Sequence, residues 1–285
     1  MATAIVTDST AYMPKAELEQ YNIHMIPLTV VLNGETYEEE VTLQAEDFYE
    51  KIRGGKKLPT SSQPPIGKFV ELFEKLAQDY DEIVTIHLSS GISGTYQGAL
   101  SAGEMVEGID VYGFDTEVAC YMQSMYAIHA SKLAAQGANA KQILAHLNEM
   151  KETEKDFILV DDLSHLQRGG RLSAASALIG SLLQVKPILS FQNKVIVPYE
   201  KIRTKKKALK RIEELLAEDV EKYGELEATV IHSNCEAERD EWLAHLREKF
   251  PTVQFNPSYF GAVVGTHLGE GALAMGWFKK IEPKI

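Results

Sequence analysis

Residues 88–97 of the chain read LSSGISGTYQ. An apolar run, IVTI at 83–86, precedes them and predicts a buried strand, while residues 98–106 predict a helix. A turn rich in glycine and serine between a strand and a helix points several backbone N–H groups at one spot, where the helix dipole favours an anion. Because α/β proteins bind ligands at the ends of parallel strands, we predict an acidic head group here. The loop PTSSQPP at 59–65 is its predicted partner.

Strands and helices alternate on both sides of this turn. Short strands are predicted at 4–7 and 109–114, and Pro14 and Pro65 are placed to begin helices. Asn33-Gly34 is typical of a hairpin turn. This alternation indicates a doubly wound, mostly parallel sheet.

The pattern changes in the second half of the chain. A strand at 157–160 is followed by a predicted hairpin at 188–197 and a basic helix at 204–223. We therefore predict an α/β protein with two domains, an N-terminal α/β domain at 1–155 and a C-terminal α+β domain at 156–285.

Several local features are also predicted. Residues 24–31 are expected to form one strand, and Asn139, Thr42 and Thr116 to cap helices at their N-termini. The helix after Thr42 is expected to stop at Gly54-Gly55.

Composition limits the class of protein. At 285 residues the chain exceeds the usual size of one domain, and no apolar run approaches the roughly 20 residues of a membrane helix. The net charge of −12 argues against nucleic acid as a partner. We expect no signal peptide, and we expect Cys120 and Cys235 to be reduced thiols, which is typical of the cytoplasm.

Enzyme motifs fit the chain poorly. The turn lacks the second glycine of a nucleophile elbow, because Thr95 follows Gly94, and no residue is identifiable as the acid that would orient His232 or His267. No phosphate-loop signature or metal-binding histidine pair is present in the sequence. A serine hydrolase using Ser93 and a binder of a small phosphorylated ligand remain alternatives.

Neutral hydroxyl groups collect in three loops that follow strands. Such groups often only make turns, but together with backbone N–H groups they can bind a carboxylate or phosphate without a fixed counter-charge. They are Ser9, Thr10, Thr60, Ser61, Ser62, Ser89, Ser90 and Ser93. Two basic segments, 168–171 and 203–207, could receive a phosphorylated or acidic partner.

These residues together resemble the DegV family, particularly the fatty-acid-binding subunits that serve bacterial fatty acid kinase. The matching segments span nearly the whole chain in consistent order. They are TDST at 7–10, PTSSQP at 59–64, residues 88–97, VDDL at 160–163, GRL at 170–172, IRTKK at 202–206 and GTHLG at 265–269.

The resemblance implies two α/β domains that enclose one long-chain fatty acid, such as palmitate or oleate, with its tail in an apolar tunnel. It implies no cofactor and no catalysis by the chain alone. A separate fatty acid kinase would phosphorylate the carboxylate to an acyl phosphate for phospholipid synthesis, and stable membrane insertion is not expected.

The resemblance also assigns roles to residues. Ser61 and Ser93 occupy the carboxylate-contacting positions, the former a serine where these subunits commonly have threonine. The other positions form two groups. The surrounding polar shell would consist of Thr60, Ser62, Gly94 and His267. The kinase or the phosphoryl group would dock at Arg171 and Arg203.

Overall fold

A computed structural model describes residues 2–53, 58–172 and 186–285. The predicted helix stop at Gly54-Gly55 lies outside these residues. The described strands are β1 (Thr3–Asp8), β2 (Ile23–Ile26), β3 (Thr29–Leu32), β4 (Glu35–Glu38), β5 (Thr60–Ser62), β6 (Glu82–His87), β7 (Asp110–Asp115), β8 (Lys155–Leu159), β9 (Ile188–Gln192), β10 (Val195–Glu200), β11 (Leu226–His232), β12 (Val253–Tyr259) and β13 (Leu273–Lys279).

The described helices complete the fold, together with a short 3-10 turn at Ser9–Ala11. They are α1 (Lys15–Gln20), α2 (Ala45–Ile52), α3 (Ile66–Leu76), α4 (Thr95–Gly103), α5 (Tyr121–Ala135), α6 (Ala140–Lys151), α7 (Ser164–Arg168), α8 (Lys205–Tyr223), α9 (Glu236–Lys249) and α10 (Ala262–Leu268). Within the described ranges, no helix has the length and apolar character needed to cross a membrane.

The first sheet is parallel, with strand order β2-β1-β6-β7. Its side chains alternate between two cores: Ala4 and Val6 pack with the phenylalanines of α3, whereas Ile5 packs with α5 and α6. Helices therefore cover both faces, which confirms the predicted doubly wound sheet.

The second sheet is mixed, with strand order β10-β9-β8-β13-β11-β12. Only β11 and β12 run parallel among its described pairs. Phe157 and Trp277 pack towards α8 and α9, whereas Ile158 and Phe278 join the core beneath α5. That core is thus shared by both sheets. The division of the chain at residue 155 stays a prediction, and Lys155 already lies in β8.

A third, antiparallel sheet has the order β4-β3-β5. The single strand expected at 24–31 is wrong, because the chain leaves the first sheet after Ile26 and enters the third at Thr29. Proline 27 explains the break, since its nitrogen cannot donate to a strand ladder. The hairpin at Asn33-Gly34 is confirmed, and both residues have positive φ.

One predicted helix cap is confirmed and two are wrong. Asn139 caps α6 through a reciprocal capping box with Gln142. Thr42 instead accepts a hydrogen bond from the Glu38 N–H at 2.8 Å, and α2 begins at Ala45. Thr116 donates to the His87 carbonyl at 2.9 Å, which ties the end of β6 to the chain after β7.

Candidate functional site

The central turn, residues 88–94, is held in place by hydroxyl groups that the sequence suggested as ligands. Ser89 Oγ donates to the Lys194 carbonyl at 2.6 Å, and Ser90 Oγ donates to Asp115 Oδ2 at 2.5 Å. A Cβ at Gly91 would lie 2.3 Å from the Lys194 carbonyl oxygen, so this backbone approach requires glycine. The hairpin β9–β10 therefore supports the turn directly.

Ser9 and Thr10 also serve the structure, since both are buried. Ser9 Oγ donates to Glu39 Oε2 at 2.6 Å, and Thr10 Oγ1 donates to Asp8 Oδ1 at 2.5 Å. These hydroxyl groups satisfy buried carboxyl groups and are not free for a ligand.

Ser61 and Ser93 line one cavity of about 60 Å³, which we call the head cavity. Ser61 comes from edge strand β5, so the expected loop there is in part a strand. Ser93 lies just before α4, and its Oγ is 2.9 Å from Thr95 Oγ1. The fold thus brings together two serines that are 32 positions apart in the sequence.

His267, from α10, also lines the head cavity, and its Nε2 lies 2.8 Å from Ser61 Oγ. Burial, and then the charge of Arg171, lowers the pKa of His267 to about 4. The ring is therefore neutral at pH 7. Its Nδ1 is buried without a hydrogen-bond partner in the described part of the chain, and it packs against Gly169.

Arg171 lies in the wall of the head cavity. Its guanidinium donates to the Gly169 carbonyl and, at 3.3 Å, to the Ile92 carbonyl in the central turn. A positive charge is thereby fixed beside Ser61, Ser93 and His267, where it favours an anion.

The other predicted site residues differ in whether they line the head cavity. Ser62 lines the head cavity, whereas Thr60 is exposed and lies outside its lining. Gly94 packs closely on Gln63, since a Cβ there would lie 2.1 Å from Gln63 Oε1. Arg203 is exposed just before α8 and does not line the cavity.

A second cavity, also of about 60 Å³, adjoins the first; we call it the tail cavity. Its lining is almost entirely apolar and comes from the second sheet, from α10, from the start of α5 and from the loops that follow β6 and β7. The two cavities have several wall residues in common, and these are Ile92, Ile196, Val264 and Leu268. The two cavities are therefore neighbours, with polar groups in the wall of the head cavity and a nearly apolar wall around the tail cavity.

Sequence reasoning missed two polar residues of these walls. Gln63 lies within the predicted loop at 59–65 and lines the head cavity, but it was not named as a site residue. Asp156 lines the tail cavity, where burial raises its pKa to about 7, although its oxygens accept from the Phe191 N–H at 3.2 and 3.0 Å. The sequence signal for Asp156 was a carboxyl-bearing residue directly before the apolar run at 157–160.

Among the residues that the structure describes, Ser93 and His267 are not arranged as in the catalytic triad of a serine hydrolase. Ser93 bonds to Thr95, and the histidine in the cavity bonds to Ser61 through Nε2 while its Nδ1 has no acidic partner among the described residues. His232 lines a different cleft.

Comparison with known proteins identifies the family. A family model described as "Uncharacterised protein, DegV family" matches residues 2–280. The chain belongs to the DegV family. Protein DegV of Bacillus subtilis is 56% identical over 278 residues, covering 97% of this chain and 99% of that protein.

Solved structures of the DegV family show the same fold. The crystal structure of Bacillus subtilis DegV, described as a fatty acid binding protein, superposes with a TM-score of 0.94, 56% identity and coverage of 98% and 100% of the two chains. A fatty acid binding DegV family protein from Streptococcus agalactiae gives a TM-score of 0.90 at 32% identity, with coverage of 99% and 100%. The predicted fold class and the family resemblance are thus confirmed.

Proposed function

We propose that this chain binds a long-chain fatty acid and presents its carboxylate to a separate fatty acid kinase. The observation that supports binding is that the head cavity, with its polar wall, lies next to the apolar tail cavity and has four wall residues in common with it. The chain's similarity to DegV proteins described as fatty acid binding supports the same ligand.

The head cavity suits a carboxylate that must later be released. With the proton of His267 on Nε2, Ser61 Oγ accepts from the ring and its hydroxyl hydrogen is free to donate to the ligand. Ser93 can donate from the other loop, and Arg171 adds charge from the wall. Hydrogen bonds from neutral groups orient the carboxylate without burying a tight ion pair.

The tail supplies most of the affinity. Burying about 16 carbons contributes on the order of 12 kcal/mol at about 0.8 kcal/mol per methylene, before the costs of association. The wall side chains must move apart to admit such a chain, and Met122 and Met275 in the tail cavity are flexible enough to adapt. Native mass spectrometry of protein purified without added lipid tests the proposal: a bound mass equal to a fatty acid supports it, and ligand-free protein contradicts it.

Removing both head-group hydroxyls should weaken binding. We expect Ser61→Ala combined with Ser93→Ala to lower fatty acid affinity about 100-fold, because each lost hydrogen bond to a charged group is worth about 1.5 kcal/mol. Lipid retained by the purified double variant is the measurement. Ser101→Ala, in α4 and outside the cavity lining, is the control. Undiminished lipid in the double variant would count against the assignment.

The proposed interaction with a kinase can be tested by substituting Arg203. Arg203 is exposed next to the basic start of α8 on a protein of net charge −12, where it can attract an acidic partner. We expect Arg203→Ala to keep its lipid but to slow acyl-phosphate formation about tenfold in a reconstituted assay with a kinase. Arg247→Ala, an exposed arginine of α9, is the control. Equal turnover by all three proteins would refute this docking role.

Affinity should also depend on pH through Asp156. Its raised pKa of about 7 means that it is protonated at lower pH and ionised at higher pH. An acyl tail beside it disfavours the ionised form, so affinity should fall about tenfold as the pH rises from about 6.5 to about 8.5. His267, with a pKa near 4, does not titrate in this range.

Two variants isolate this effect. Asp156→Asn should make the affinity independent of pH in this range. Glu154→Gln should keep the dependence, because burial raises the pKa of Glu154 to about 8 but it does not line the tail cavity. If the affinity of Asp156→Asn fell with rising pH as steeply as that of the parent protein, Asp156 would be excluded as the cause of the pH dependence.

We further propose that the chain acts in the cytoplasm, as a binding protein rather than as an enzyme. Two free cysteines, Cys120 and Cys235, are consistent with a reducing compartment. A labelled serine-reactive probe distinguishes the hydrolase alternative, since a binding protein forms no covalent adduct at Ser93.

A further inference from the structure

A larger cleft of about 460 Å³ lies apart from the fatty acid site, and we call it the tyrosine cleft. It is lined by the start of α1, the start of α2 and the ends of β11 and β12. Phe260 is the residue that it shares with the tail cavity. Its volume lies within the range of small-molecule sites, and none of the fatty acid head-group residues reaches it.

Four tyrosines line this cleft, and each hydroxyl group already has a protein partner. Tyr12 donates to Glu39 at 3.1 Å, Tyr49 to the Phe260 carbonyl at 2.9 Å, Tyr121 to Glu17 at 2.9 Å and Tyr259 to Glu40 at 2.9 Å. Tyr12, Tyr49 and Tyr121 are buried, so the ring of the half-buried Tyr259, whose centroid lies 5.5 Å from that of Tyr12, is the one that an occupant reaches. The negative face of an aromatic ring attracts a cation.

The charges in the lining are unbalanced towards negative. Arg239 is neutralised by Glu236 at 2.8 Å and by Asp240 at 2.6 Å. Burial, and then Arg239, lowers the pKa of His232, which keeps it neutral at pH 7. Glu17 and Glu46 therefore remain as carboxylates that face the cleft without a cation in the described part of the chain.

Unpaired acceptors indicate what kind of cation fits. Glu17 Oε2 is buried without a hydrogen-bond partner among the described residues, and so is the Oγ of Ser258, a lining residue that is 5% exposed. Buried acceptors of this kind are normally paired, and a ligand with N–H donors would pair them.

We propose that the tyrosine cleft binds an organic cation that carries N–H donors, namely an alkylammonium or guanidinium group. The ring of Tyr259 would face its charge, and Glu17 and Glu46 would accept its hydrogen bonds. The group can belong to a free amine or to a lysine or arginine side chain, which present the same chemistry.

Calorimetric titration of the full chain tests this proposal. The probes are agmatine and spermidine as free amines, the capped peptide Gly-Arg-Gly as an arginine side chain, and tetramethylammonium as a cation without donors. We expect saturable binding of a donor-bearing probe with Kd below about 1 mM, and at least about tenfold weaker binding of tetramethylammonium. The probe that binds more tightly identifies the source of the group.

Two matched double variants separate a local site from the general acidity of the protein. Glu17→Gln with Glu46→Gln should weaken the bound probe about tenfold or more, whereas Glu71→Gln with Glu241→Gln changes two exposed glutamates elsewhere and should leave it unchanged. Absence of saturable binding by every donor-bearing probe, equal binding of tetramethylammonium, or equal weakening in both variants would each overturn the proposal. Circular dichroism of both variants verifies that they are folded.

Discussion

Replacing Asp8 by alanine is expected to lower the free energy of unfolding by about 3–5 kcal/mol. Asp8 is completely buried at the end of β1, and its carboxylate lies 2.8 Å from Nδ1 of the equally buried His87. It also accepts from the backbone N–H groups of Thr10 at 3.0 Å and Leu88 at 3.2 Å. Alanine would leave Nδ1 of His87 and both N–H groups unpaired inside the protein.

Urea denaturation of the purified variant measures this loss. Asp79→Ala is the matched control, because Asp79 is exposed in the turn after α3 and its replacement should change the free energy by less than about 0.5 kcal/mol. Since Leu88 begins the central turn, we also expect Asp8→Ala to retain less lipid. Equal stability of the two variants would show that this network is not needed for the fold.

Placing a carboxylate at Val264 should nearly abolish fatty acid binding, by at least about 100-fold. Val264 lines both the head cavity and the tail cavity, so in the proposed binding mode its side chain lies where the carboxylate end of the ligand meets the acyl chain. Val264→Asp would set a charge against the tail and repel the ligand's carboxylate. Mass spectrometry of co-purified lipid, with fatty acid titration of delipidated protein, measures the effect.

Val41→Asp is the control for this substitution, since Val41 is 52% exposed and lies outside both cavities. It should retain lipid as the parent protein does. Thermal unfolding of both variants separates loss of binding from loss of folding. A folded Val264→Asp protein with normal lipid content would show that the tail takes another route.

The first sheet and the central turn were predictable because their signals are local. The run at 83–86, the glycine- and serine-rich turn and the following helix lie within one short segment, and the structure places them as β6, the turn and α4. The signal for the break, Pro27, was equally local. It was overlooked because the apolar residues on both sides continue the pattern of a strand.

The walls of the cavities were not predictable from periodicity. Ile92, Ile196 and Val264 come from three distant parts of the chain, and each follows the pattern of an ordinary core residue. Likewise, no local sequence pattern separates Ser61, which lines the head cavity, from Ser9, which donates to a buried glutamate; only the family resemblance distinguished them. Their roles depend on what lies opposite them after folding.

The close approach of Gly91 to the Lys194 carbonyl has a consequence for protein engineering. The turn that we propose faces the ligand follows a strand of the first sheet, and the hairpin that supports it belongs to the second sheet, so the two must match in shape. A hybrid that joins the first half of this chain to the second half of a DegV relative would keep its binding only where the donor hairpin turns at the same register. The geometry of that hairpin should therefore be a more important criterion than overall sequence identity when hybrids between relatives are chosen.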